Sequence, residues 1–156
     1  MTPRDLLVLA IEPALTLLPE VMGTQQAKAM LLAIAMEESG LTRRMQYGGG
    51  PARGWWQFEP IGVAGVQQHH ATGEYAAGVE SVLEYRAGDV SQAIQHNDVL
   101  ASAFARLLLW QCPRPLPQGV GDEDIGWDQY MMMWRPGKPR RASWLSNYRA
   151  AWAGVA

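Results

Sequence analysis

A mostly helical, single-domain fold is what this sequence predicts, and three observations predict it. Apolar residues recur at spacings of three and four along most of the chain. Residues that start or stop helices (Thr2, Gly23, Thr24, Gly40, Asn97) fall between those stretches. One region, around Gly48-Gly49-Gly50-Pro51, breaks the pattern and reads as a loop or a tight hairpin. With 156 residues, 48% of them hydrophobic, the chain can bury one sizeable core, and residues 1–156 read as one domain.

The elements follow in order. Thr2 caps a first helix with Pro3 at its first position, where a missing N–H costs nothing. Pro13 either kinks this helix or begins a second, which Gly23 closes. Thr24 caps a helix expected over Gln25–Ser39, stopped by Gly40. Short extended pieces are expected at Leu41–Tyr47 and Gly54–Phe58, on either side of the glycine run. Helical spacing then resumes over Ile61–His70, Glu74–Ala87, Val90–His96 and Asp98–Gln111. Pro113, Pro115 and Pro117 make a stiff connection. Asp122, Glu123 and Asp124 read as a solvated acidic turn before a helix at Trp127–Trp134, where negative charge suits the dipole. Arg135–Arg141 is a basic, proline-broken loop, and a last helix, Ala142–Ala153, carries Trp144, Leu145, Tyr148 and Trp152 on one side.

Composition excludes several classes. A net charge of -2 does not fit nucleic acid as the main partner. A lone cysteine, Cys112, excludes an internal disulfide framework. The apolar Leu6–Ile11 is interrupted by Glu12 and Pro13 with no small-residue cleavage site after it, so no export signal is expected. No stretch has the length to span a bilayer. His69 and His70 are adjacent, so on a helix they do not share a face, and no metal or other cofactor is expected. The basic run Arg135, Lys138, Arg140, Arg141 suits a solvated loop better than an anionic polymer.

The chemistry concentrates between Ala33 and Pro60. On a helix advancing about 100° per residue, Ala27, Leu31, Ile34 and Glu38 fall within one arc. Glu38 is therefore expected on the inward stripe and Glu37 towards its edge, near Met30 and Ala33. A carboxyl at the end of an apolar stripe is costly unless paired or put to work. Desolvation raises its pKa, which suits a general acid. The structural alternative is a buried hydrogen bond or an ion pair with Arg43, Arg44 or Arg53, and on spacing alone that alternative is favoured.

Two further blocks reverse the preference. Glu38-Ser39-Gly40 closes the helix, and Gly50-Pro51-Ala52-Arg53-Gly54-Trp55-Trp56-Gln57-Phe58-Glu59 follows the loop. Here the chain resembles the lysozyme-like lytic transglycosylases, which include goose-type lysozymes and small phage-encoded cell-wall enzymes. Their signature is a helix ending in Glu-Ser-Gly, a loop, and then glycine, an aliphatic or aromatic residue, and glutamine. Asn147-Tyr148 is similar to an Asn and Tyr near the end of many such domains. The specific match covers about a sixth of the chain.

The resemblance implies a lysozyme-like frame, mostly α with a minimal β-hairpin, acting on peptidoglycan glycan strands. It makes Glu38 the acid that protonates the oxygen linking N-acetylmuramic acid to N-acetylglucosamine. Ser39 would orient the carboxyl or the sugar, Gln57 would reach across the cleft, and Tyr148, beside Asn147, would hydrogen-bond Glu38 from the far wall. Trp55, Trp56 and Phe58 offer faces to sugar rings or pack inward, the core being at least as good a home for each. The family's usual Met after the aliphatic residue is Trp56 here, which implies a bulkier cleft floor.

Most glycosidases pair two carboxylates. The resembled enzymes use one, the muramyl 6-hydroxyl closing a 1,6-anhydro ring. Glu59 is the nearby acid that could serve as a second carboxylate, or it anchors the loop through Arg53. The non-hydrolytic route is favoured over hydrolysis. The expected setting is a phage endolysin or a virion component that opens the wall for genome passage, in contact with other virion proteins and acting in the periplasm. The rival class is a non-catalytic virion, tail or glycan-binding protein on the same frame.

Overall fold

The computed structural model describes all 156 residues. The chain starts as one helical rod in three pieces: α1 (Pro3–Leu6), a π-turn over Leu7–Ile11, and α2 (Glu12–Thr16). Thr2 and Asp5 form a reciprocal capping box at its start. Pro13 lacks an N–H and its ring crowds the carbonyl one turn back; the wider π-turn before it absorbs that conflict.

Helix α3 (Gln25–Ser39) is the centre of the molecule. Thr24 Oγ1 accepts the Ala27 N–H at 3.2 Å, and Gly40 ends the helix in the left-handed region. Ala29 through Ala35 are all essentially sealed from solvent, so α3 is apolar on every side, as a helix enclosed by others must be. The remaining helices are α4 (Pro60–Gln68), α5 (Gly73–Val82), α6 (Val90–Ala93), α7 (Asp98–Trp110), α8 (Glu123–Trp134) and α9 (Arg141–Val155). The most extensive pairing in the fold is α9 along α3, and α7 packs on both α2 and α3. No helix is long and apolar enough to cross a membrane.

Several expectations are corrected. The hairpin is absent: Met45–Arg53 and Arg53–Phe58 are isolated bridges, and Tyr47–Gly49 forms a 3₁₀ turn. Pro51 has no N–H to donate to a ladder, and the chain reverses again at Gly54 before a strand can grow. Gly54 has φ +76°, and a Cβ there would lie 2.9 Å from the Ile94 carbonyl oxygen, so only glycine fits this reversal. Helix α5 ends at Val82, ahead of Glu84 at φ +62°. Helix α8 begins at Glu123, inside the expected acidic turn. That turn is tied to α9 through Glu123–Arg149 at 3.0 Å and an Asp124–Arg141 pair. On α9, Trp144 and Tyr148 are buried and Trp152 packs against the core, but Leu145 is exposed on the adjacent face.

Candidate active site

The end of α3 presents two adjacent carboxylates to different neighbours. Glu37 is the buried one, 3% exposed, and this overturns the expectation that Glu38 lies deeper. Helical spacing could not separate them, because α3 has no solvent side for most of its length and α9 covers the Glu37 face. Ser143 Oγ donates to Glu37 Oε1 at 2.8 Å, and Asn147 Nδ2 donates to Oε2 at 2.7 Å. Arg140 adds charge at 3.7 Å from Oε1 and donates to the Glu37 carbonyl at 2.8 Å. Both carboxylate oxygens of Glu37 are thus engaged in holding α9 and its preceding loop to α3.

Glu38 is half-buried and forms no ion pair. Arg44 pairs with Asp98 instead, Arg43 lies over the Tyr47 ring, and Arg53 donates to the Gly50 and Ala52 carbonyls. The side-chain partner of Glu38 is Tyr130 on α8, whose hydroxyl donates to Oε1 at 2.6 Å. Burial pushes the Glu38 carboxyl above the usual carboxylate range. The Tyr130 hydrogen bond opposes that rise, the Glu37 charge adds to it, and Arg140 opposes it. Burial and then the Glu38 charge raise the Tyr130 phenol well above its ordinary value, so it stays a protonated donor.

Tyr130 is held by aromatic packing. It stacks on Trp144 with centroids 5.1 Å apart and planes 6° from parallel, and Trp127 lies 5.7 Å away. Gly126 lets α8 come this close to α9 and α3: a Cβ there would meet the Tyr148 ring at 2.9 Å, and the Trp144 ring and Met30 Sδ at 3.2 Å. The residue expected in this role, Tyr148, is fully buried one layer away and donates to the Gly119 carbonyl at 2.8 Å, its phenol pushed up to about 12, mainly by burial. Tyr130 was legible only as part of the aromatic stripe Trp127, Tyr130, Trp134, one face of a helix in which a single hydroxyl needs a partner.

The other expected site residues are placed as follows. Ser39 Oγ donates to the Ala35 carbonyl at 2.8 Å and accepts the Leu41 N–H at 3.2 Å, so it closes the helix. Trp56 is fully buried, donating to the Leu31 carbonyl at 2.9 Å, and Trp55 and Phe58 are 5% exposed. None of the three is an open platform, because this block runs under α8, where Trp134 Nε1 donates to the Trp56 carbonyl at 3.1 Å. Arg44 sits over Trp55, with its guanidinium carbon 4.2 Å from the ring centroid. Gln57 is half-buried at φ +51°, and its amide donates to the Gly54 carbonyl at 2.9 Å. Glu59 is exposed at the start of α4 and does not pair with Arg53.

His69 and His70 stack at 4.4 Å, and no group of three or more acidic, histidine or cysteine side chains could hold a metal. Two cavities, of about 500 and 350 Å³, lie along the Arg114–Gln118 connection; neither is lined by Glu38. No protein-family model, curated protein or solved structure matches this chain.

Proposed function

We propose that this chain cleaves the β-1,4 bond between N-acetylmuramic acid and N-acetylglucosamine in peptidoglycan, as its resemblance to lysozyme-like lytic transglycosylases implies. The setting would be phage lysis or wall opening by a virion component. The observation that carries the reading is Glu38. It is a half-buried carboxyl free of arginine, favoured in its protonated form by burial, and oriented by one tyrosine hydroxyl.

In the proposed reaction Glu38 gives its proton to the glycosidic oxygen as the bond to muramyl C1 breaks. The Tyr130 hydrogen bond stabilises the carboxylate that results. Glu38 then takes the proton of the muramyl 6-hydroxyl as that oxygen bonds to C1, giving a 1,6-anhydro ring and consuming no water. Glu37 supports the one-carboxylate route, because both its oxygens are occupied and buried. Gln57, held in a backbone conformation unusual for glutamine, is the proposed sugar contact from the loop.

A second reading, a non-catalytic virion, tail or glycan-binding protein, is favoured by the burial of Trp55, Trp56 and Phe58. Clearing of purified peptidoglycan by the native chain and by Glu38→Gln separates the two. Loss of clearing in the variant supports catalysis, and equal clearing, or none by either, removes it.

A further inference from the structure

The cavity of about 500 Å³ lies between the start of α3, the end of α7 and the proline-rich connection. Arg106 on α7 forms part of its lining and is only 2% exposed. Its one hydrogen bond to the protein runs from Nε to the Met22 carbonyl at 2.8 Å, and it takes part in no ion pair. Burial, with no opposing charge, draws its guanidinium down to about 10. A buried cation without a counter-charge is costly.

The surroundings suit an anion. The N–H groups of Gln25 and Gln26, the first of α3, meet no acceptor, and Thr24 and Gln26 line the same cavity. The Trp110 ring backs the Arg106 guanidinium at 5.1 Å, leaving its edge for a ligand, and Leu109 supplies apolar wall. We propose that this cavity binds a small organic anion, its carboxylate or phosphate group seated on the terminal nitrogens of Arg106. Arg114 adds a second cation at the exposed rim. Beyond it, Asp122 and Asp128 line the adjoining cavity, which repels a long polyanion and selects a single anionic group on a compact body. The site is separate from Glu38, which stands about 21 Å further along α3 than Thr24.

The test follows the Arg106 Nε–H resonance of the native chain by NMR. Inorganic phosphate and benzoate are titrated separately, with sodium chloride at matched ionic strength as control. A saturable shift with benzoate alone assigns a carboxylate ligand, with phosphate alone a phosphate ligand, and with both a shared oxyanion site. At a probe concentration tenfold over Kd, the folded-to-unfolded ratio rises about 11-fold. In a chain this size that lifts Tm by roughly 3–6 °C. Arg106→Met is expected to fold and to lose that rise. No saturable shift beyond the chloride control with either probe overturns the proposal, as does an Arg106→Met protein that keeps the full thermal response. The titration of the native chain decides alone if the variant does not fold.

Discussion

The Tyr130 hydroxyl meets Glu38 Oε1 at 2.6 Å, joining side chains 92 residues apart in the sequence. The bond sets both the direction of the carboxyl and the balance of its two charge states. Tyr130→Phe keeps the ring stacked on Trp144 but removes the donor. The Glu38 carboxyl then titrates at higher pH than in the native chain, because the hydrogen bond favours the ionised form. Carbon-13 NMR of the Glu38 carboxyl measures this. Turnover on peptidoglycan is expected to fall about tenfold, the worth of roughly 1.4 kcal/mol in the barrier. An unchanged titration would show that Tyr130 does not govern the acid.

Glu38 also leaves a signature in stability against pH. Its folded pKa lies above its unfolded one, so the folded chain holds the extra proton between the two values. Its contribution is complete below the ordinary glutamate value of about 4.3 and is lost as pH rises through the raised folded value. Glu38→Gln never ionises and can still accept from Tyr130. Its Tm should therefore exceed that of the native chain at pH 8, with the gap closing towards pH 4. The other carboxylates are common to both proteins and cancel in the difference. A gap that is constant with pH contradicts a raised Glu38.

Glu37 is assigned a structural task. Glu37→Ala strands Ser143 and Asn147 and is expected to cost about 2–4 kcal/mol, while Asn147→Ala removes one charge-assisted bond and costs about 1.5–3 kcal/mol. Urea denaturation measures both. Assayed below its Tm, the Asn147→Ala protein should keep the KM of the native chain, because Asn147 faces Glu37. A KM that rises while stability is unchanged would instead place Asn147 against the sugar.

The helices were legible where their signals are local. Thr2, Thr24 and Asn97 each cap a helix through their own side chains, and Gly40 stops α3 where expected. What needed the structure was non-local. Whether Glu37 or Glu38 is the deeper acid depends on where α9 lies, and α9 is more than a hundred residues away in sequence. Tyr130 and Tyr148 lie on either side of Trp144, and which hydroxyl reaches Glu38 depends on how α8 and α9 pack together. The tryptophans of the Gly54–Phe58 block are both in the core because α8 packs over them. Composition has no information on that.

Backbone geometry at the second block gives a further prediction. Gly54→Ala forces a Cβ into a left-handed residue and against the Ile94 carbonyl, and should destabilise by about 2 kcal/mol or more. Gln57→Gly relieves its own left-handed strain, worth roughly 1–2 kcal/mol, but loses the amide bond to Gly54, so net stability changes little. If Gln57 touches the sugar, Gln57→Gly loses activity at near-native Tm. Retained activity in that protein places Gln57 outside the site.

Mass spectrometry of the muropeptides released from purified peptidoglycan tests the central assignment most directly. The native chain should release fragments ending in 1,6-anhydro-muramic acid, and Glu38→Gln should release them about 10²–10⁴-fold more slowly. Equal release by the two proteins, or no fragments from the native chain, would contradict Glu38 as the proton donor, and reducing ends in place of anhydro ends would contradict the non-hydrolytic route.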